Sequence, residues 1–364
     1  MEPSKVYFTN FRTSSDENRI QKLKRLMLTA GMDRIDFQNK YVAIKIHFGE
    51  LGNVSFLRPN YAKAVADVVY DLGGRPFLTD CNTLYVGSRK NALDHLDTAY
   101  ENGFSPFSTG CHVLIADGLK GSNETKVPVN GEYVKEAKIG SALMDADIVI
   151  SLNHFKGHEM TGMGGALKNI GMGGGSRAGK MEMHSAGKPY VQEDRCIGCG
   201  CCQKICAHDG PNLRDGVMYI DHDKCVGCGR CIAVCPMDAV TPAQDEALDI
   251  LDAKIAEYAL AVVQNRPSFH ISLVMDVSPD CDCHDNNDLP IVPDVGMFAS
   301  FDPVALDQAC CDAVNRQKPL EGSIIDGQEG EPLRANHPIT DWRGQIVHGK
   351  KIGLGTDEYE LIEI

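Results

Sequence analysis

Residues 194–236 read DRCIGCGCCQKICAHDGPNLRDGVMYIDHDKCVGCGRCIAVCP. Within them Cys196, Cys199, Cys202 and Cys206 are followed by Cys225, Cys228, Cys231 and Cys235, each quartet with gaps of two, two and three residues. That is a cluster-binding spacing: a cubane of four irons and four sulfides takes one thiolate per iron, and three cysteines on a tight loop wrap three corners while the fourth comes from elsewhere. Each cysteine of the second quartet lies twenty-nine positions after its counterpart, and Gly198/Gly227, Gly200/Gly229, Ile197/Val226 and Asp194/Asp223 keep the same step. The repeat predicts a module of two pseudo-twofold halves. Structural zinc is the alternative that cysteine quartets also satisfy, while the three-residue gap and the trailing Pro236 favour the cubane.

Outside this stretch, the 364 residues are enough for two or three domains, and a hydrophobic content of 43% is ordinary for a water-exposed fold. No apolar run reaches eighteen residues and residues 1–10 do not read as a secretory leader, so the expectation is no membrane span and no secretion. Eight of the fifteen cysteines stand at cluster spacing and the chain is too long to need covalent staples, which points to a reducing, cytoplasmic setting. A net charge of −14 argues against a nucleic-acid partner. Acidic character suits docking to a basic redox partner, or simply a solvated surface.

The flanks alternate strand and helix. Strands are predicted over 5–9, 41–48, 76–79, 113–116, 148–152 and 269–277, with a closing strand over 358–364. Between them fall a helix capped by Asp16, with Ile20, Leu23, Leu26, Met27 and Ala30 at helical spacing, and one entered through Arg58 and Pro59. Further helices are predicted over 88–102, 139–144 and 245–265, one after Asp302-Pro303, and a short one carrying Trp342. Cys310 and Cys311 read as core packing. The pattern predicts an α/β fold with a mostly parallel sheet and helices on both faces.

Loops leaving the carboxyl ends of parallel strands gather functional groups. Three of these loops deliver Lys45, His47 and Glu50; Asp80, Cys81 and Asn82; and Asn153, His154, Lys156 and His158. Singly, each histidine reads as a hydrogen-bonded loop residue and Cys81 as a small buried hydrophobe. Together, Lys45, His47, His154, Lys156 and His158 suggest a pocket for an anion, a substrate, a metal or a further small-molecule cofactor. The glycine-rich tract 162–179 reads as a loop. Gly174, Gly179 and Lys180 meet the phosphate-loop spacing, but Met181 stands where a magnesium-binding hydroxyl belongs, so it is set aside. Residues 280–284 place Cys281, Cys283 and His284 beside Asp280 and Asp282, a donor set for an additional metal. Hydrogen-bonding turn residues or a labile thiol pair are the competing readings.

The cysteine stretch resembles the bacterial two-cluster ferredoxins over about fifty residues. That resemblance implies two [4Fe-4S] clusters with crosswise ligation: Cys196, Cys199, Cys202 and Cys235 for one, and Cys225, Cys228, Cys231 and Cys206 for the other. Ala207 replaces the first of the two expected prolines, and Cys201 is an extra thiol in the first loop. Because the α/β pattern resumes after it, a small α+β, ferredoxin-like insertion over 189–241 is expected to interrupt one α/β domain formed by 1–188 and 242–364. A second resemblance spans nearly the whole chain. His154, Lys156, His158, Lys168-Asn169, the 279–284 run and Ser300-Phe301-Asp302-Pro303-Val304-Ala305-Leu306-Asp307 resemble the family catalogued as domain of unknown function 362. It implies an iron-sulfur α/β protein and no particular substrate.

The leading expectation is a cytoplasmic electron carrier that passes single electrons through two clusters to or from a partner protein. The alternative is a reductase whose clusters serve as a wire to a pocket in the α/β domain; its size, beyond what carrying electrons needs, favours that reading. A redox sensor is a third possibility with no distinctive support, and the oligomeric state is open.

Overall fold

A computed structural model describes residues 2–84, 87–184, 187–243 and 246–364. In chain order, β1 (Ser4–Asn10) and α1 (Arg19–Thr29) precede β2 (Tyr41–Lys45), α2 (Pro59–Asp71) and β3 (Arg75–Asp80). Then come α3 (Ala92–Glu101), α4 (Pro106–Thr109), β4 (His112–Ile115), and a hairpin of β5 (Glu124–Pro128) and β6 (Glu136–Gly140). The turn α5 (Ser141–Asp145) leads to β7 (Ile148–His154), and a small hairpin of β8 (Lys156–His158) and β9 (Gly162–Gly164) leads to α6 (Ala166–Gly174) and α7 (Arg177–His184). The cysteine region holds β10 (Pro189–Val191), α8 (Cys201–Ile205), β11 (Pro211–Arg214), β12 (Val217–Ile220), α9 (Arg230–Ala233) and β13 (Val240–Pro242). After it run α10 (Leu248–Val263), β14 (Ser268–Val274), β15 (Gly296–Ser300), α11 (Pro303–Asn315), α12 (Pro332–Asn336), α13 (Gly344–Lys351) and β16 (Tyr359–Glu363).

The central sheet has eight strands in the order β16-β1-β15-β14-β7-β2-β3-β4. It is mostly parallel: β15 alone opposes its neighbours, pairing antiparallel with both β1 and β14. Strand alternation splits the core in two. Val42, Ile44, Ile148 and Ile150 face one layer with Leu23 and Leu26 of α1 and Val65 and Val69 of α2. Ala43 and Val149 face the other, with Ile170 of α6, Ile255 and Tyr258 of α10, and Leu306 of α11. Helices therefore cover both faces, as buried parallel strands require.

Several boundaries differ from expectation. The cap of α1 is Asn18, not Asp16: its Oδ1 accepts from the Gln21 amide (3.0 Å) while Gln21 Oε1 accepts from the Asn18 amide (2.9 Å), a reciprocal capping box. Asn91 starts α3 four residues later than predicted by accepting from the Leu93 and Asp94 amides. The strands predicted over 41–48 and 269–277 end at Lys45 and Val274, Ile139 belongs to β6 rather than to a helix, and Trp342 precedes α13. Asp245, the predicted start of α10, lies outside the described residues. Residues 296–300, over which the sequence predicts no strand, form β15. The glycine-rich tract is mostly helix: α6 lies so close to α10 that a Cβ on Gly171 would strike the Ile255 carbonyl oxygen, and a Cβ on Gly179 would stand 2.5 Å from the Lys138 carbonyl oxygen. Those glycines serve packing contacts between elements, not a flexible loop.

The two ends of the cysteine region meet. β10 and β13 pair antiparallel, Pro189 with Pro242, Tyr190 with Thr241 and Val191 with Val240, so 189–242 leaves and rejoins the body at one neck. Its own core (Met218, Ile220, Ile232, Val240) includes two side chains from the body, Leu84 and Met181.

Candidate functional site

The cysteine region repeats in space as it does in sequence. Gly200 and Gly229 adopt φ of 73° and 66° immediately before α8 and α9, the left-handed conformation that glycine takes without strain. Cys196, Cys199, Cys202 and Cys235 line one small cavity, with Cys201, Ile197, Met218 and Met237 around them. Cys206, Cys225, Cys228 and Cys231 line a second. Each quartet takes three thiols from one loop and the fourth from the other, and Cys201 adds a fifth thiol to the first cavity. Backbone amides point at the sulfurs: Gly198 to Cys196 and Gly227 to Cys225 (3.5 Å each), Gly210 to Cys206 (3.4 Å), Ala239 to Cys235 (3.2 Å) and Met218 to Cys196 (3.3 Å). Four of these five bonds form two pairs related by the twenty-nine-residue step. Such amides stabilise thiolates and set the potential of whatever they ligate.

Four thiolates on a single zinc would stand about 3.8 Å apart, given tetrahedral bonds of about 2.3 Å. Among the described residues neither quartet gathers three donor atoms within 4.8 Å of one another. Cys199 is exposed, whereas Cys202, Cys231 and Cys235 are buried.

A larger cavity opens at the carboxyl ends of β2, β3, β7 and β14, where such sheets place ligands. Lys45, His47, His154 and Lys156 all line it, and Asp80, Cys81, Cys281 and Cys283 join them. His158 does not: its Nδ1 accepts from the Met160 (3.1 Å) and Thr161 (3.3 Å) amides, and it stands behind the cavity wall, hydrogen-bonded to Cys281. Five cationic side chains line the cavity (Lys45, Arg89, Lys156, Lys168, Lys180) against one carboxylate, Asp80.

The cations are held by buried partners. Lys45 Nζ is 2.9 Å from Asp80 and donates to Asn169 Oδ1 at 2.8 Å. Burial pulls the Lys45 amine down, opposed by Asp80. Burial would raise the Asp80 carboxyl, but its neighbours, Lys45 foremost, outweigh it and hold it low. Arg89 Nε donates to Glu50 (3.0 Å) and Nη1 to His47 Nε2 (2.9 Å), while Nη2 is buried with no hydrogen-bond partner. Burial, then the Arg89 charge, push His47 down to about 3, so its ring is neutral. Asp282, fully buried, is 2.9 Å from His154 Nδ1 and 3.1 Å from Lys156 Nζ. Cys281 is held well below the usual thiol range by a hydrogen bond from Cys283, against burial, with help from Lys168 and His158. Lys168 Nζ lies 3.8 Å from its sulfur.

Helix α7 joins the two regions. Lys180 and His184, four residues apart and thus on one face, line the cavity. On another face Met181 packs into the core of the cysteine region and Arg177 lies against Gly229, where a Cβ would come within 2.7 Å of its side chain. An ion pair from Lys90 to Asp238 spans the same junction.

Of the metal ligands expected near residue 281, Cys281 and Cys283 line the cavity, while His284 turns outward to Glu159, with Nε2 to Oε1 at 3.1 Å. Glu159, Cys283 and His284 place their donor atoms within 4.8 Å of one another, so Glu159 stands where Cys281 was expected. Sequence reading missed Arg89, Lys180, His184 and Glu159. Lys180 and His184 had a usable signal, their four-residue spacing, which reading the tract as loop concealed.

Fold and site define an α/β protein in which a cysteine-rich insertion is docked against a cationic pocket at the carboxyl edge of a mostly parallel sheet. The chain belongs to the family described as Domain of unknown function (DUF362), which matches residues 42–312. No curated protein matches its sequence. Among solved structures it is similar to the lactate racemase apoprotein from Thermoanaerobacterium thermosaccharolyticum, with a TM-score of 0.35 and 11% identity over 71% of this chain and 46% of that one. It is also similar to a protein from Thermotoga maritima, with a TM-score of 0.40 and 14% identity over 81% of this chain and 58% of the other. The chain thus spans about half the length of these structures. Among the described residues no helix is long and apolar enough to cross a membrane.

Proposed function

We propose that this protein is a cytoplasmic iron-sulfur oxidoreductase, in which a ferredoxin-like insertion carrying two [4Fe-4S] clusters exchanges electrons between a partner protein and a small anionic substrate in the cationic pocket. Cys196, Cys199, Cys202 and Cys235 would hold one cluster, and Cys206, Cys225, Cys228 and Cys231 the other. When bound, the clusters supply one-electron transfer. The observation that carries the reading is α7, which presents Lys180 and His184 to the pocket and Arg177 and Met181 to the second quartet. A carrier that served only its partner would need no such connection. Lys45, Lys156, Lys168 and Arg89 would bind the anion, with the free Nη2 of Arg89 as a ready donor. The exposed Cys199 favours partner docking beside the first quartet.

The test is anaerobic purification with metal analysis, followed by redox titration in the presence of candidate anions. The expected result is eight irons and eight sulfides per chain, four of each for each cluster, and reduced clusters that small carboxylates or phosphates reoxidise or shift in potential. Full loading with no response to any anion would favour the simple carrier. Zinc in place of iron would overturn both.

A further inference from the structure

We propose that Glu159, Cys283 and His284 form a mononuclear site for a borderline divalent cation of the zinc type. The three donors come from two separate loops: Glu159 lies between β8 and β9, and the other two follow β14. Their ligand atoms already fall within 4.8 Å of one another, with His284 Nε2 3.1 Å from Glu159 Oε1. Donors sharing a tetrahedral zinc stand about 3.3 to 3.8 Å apart, so little movement closes the site. The second oxygen of Glu159, Oε2, is buried and accepts no hydrogen bond.

The loop that carries Cys283 and His284 is fixed independently of these side chains. The Glu50 amide donates to the Asp282 carbonyl (2.9 Å), Asn53 Nδ2 donates to the His284 and Asn286 carbonyls (3.2 Å each), and the His284 amide closes a turn on the Cys281 carbonyl (3.1 Å). A ligand set held by its backbone loses little entropy on binding.

Donor chemistry selects the ion. Binding must release the thiol proton of Cys283 and the proton that Glu159 holds on His284. The resulting thiolate, imidazole and carboxylate suit zinc or a neighbouring first-row cation, whereas magnesium and calcium take oxygen donors. Three protein ligands leave a fourth position open, the arrangement of a catalytic rather than a structural centre. Cys283 lines both the cationic pocket and a second cavity of about 490 Å³ bordered by Glu50, Ser88 and Asp285, so an ion held there would border both. The ion would polarise a carbonyl or phosphoryl oxygen of the bound substrate. Only this last step rests on the function proposed above; binding of the ion does not.

The experiment uses the full chain with its iron and sulfide measured, equilibrated with Zn²⁺ and desalted. One retained zinc per chain is expected, with a zinc-edge X-ray absorption spectrum showing one sulfur among nitrogen and oxygen neighbours. Glu159→Gln, Cys283→Ser and His284→Ala should each weaken retention at least about tenfold with iron content unchanged, since none belongs to the cysteine quartets. No retained zinc, a four-sulfur shell, or retention indifferent to all three substitutions would overturn the site. Because a variant can fail by misfolding, the spectrum of the unaltered protein decides independently. A chain that lacks iron yet shows the mixed shell would refute the cluster reading and leave this one standing.

Discussion

Asp307 shows how one buried carboxylate can couple a helix to pH. It sits on α11 but caps α6, accepting from the Ala166 (2.7 Å) and Leu167 (2.9 Å) amides. Burial pushes its carboxyl up to about 7 from an ordinary 3.8, against the pull of those two amides. Between these values the folded chain keeps a proton that the unfolded chain has released, so the stabilisation is present at the acid end and is lost as pH rises to about 7. Thermal melts between pH 5 and 8 should therefore show a slope that Asp307→Asn removes. Asp307→Ala, which leaves two buried amides without an acceptor, should cost about 1–3 kcal/mol throughout. Sequence reading assigned Asp307 no role of its own, because its partners are 140 and 141 positions away. The same limit hid Arg89 and Glu159: each acts through a contact between loops of different strands, and no local spacing encodes it. The grouping of the cysteines into two quartets was legible because three of each four thiols share one short loop.

Among the elements, α6 and α7 were the least readable and are the most consequential. Glycine disfavours helix in isolation by roughly 1 kcal/mol per residue relative to alanine, so a tract dense in it reads as loop. Here tertiary packing wins, since α6 can lie on α10 only if Gly171 offers no side chain to the Ile255 carbonyl. Gly171→Ala should accordingly destabilise the protein by about 1–3 kcal/mol, despite alanine's better propensity, through overpacking. Denaturant midpoints would check it, and a stabilising outcome would mean that the helices separate freely. The parallel strands, by contrast, announced themselves as short apolar runs between helical periods. β15 escaped because Gly296, whose Cβ position is occupied by the Thr9 carbonyl and the Phe8 ring, gives a strand no propensity signal.

At the scale of the molecule, the body and the cysteine region keep separate cores, and among the described residues the body lends Leu84 and Met181 to the core of the cysteine region. Replacing residues 192–239 with a short Gly/Ser linker between β10 and β13 should leave a body that still unfolds cooperatively. It should carry no iron and be weakened by about 2 kcal/mol for each of those two newly exposed side chains. Circular dichroism melts with iron analysis would read both, and collapse of the body would show that it does not fold without the inserted region. The neck itself has a mechanical consequence. When the chain is pulled from residues flanking it, β10 and β13 are loaded at their outer end, Pro189 against Pro242, and unzip pair by pair. Tension is released there before it reaches the cysteine loops, so a tug at the neck parts the strand pair without first tearing the inserted lobe open, while Leu84, Met181 and the Lys90–Asp238 pair still moor it.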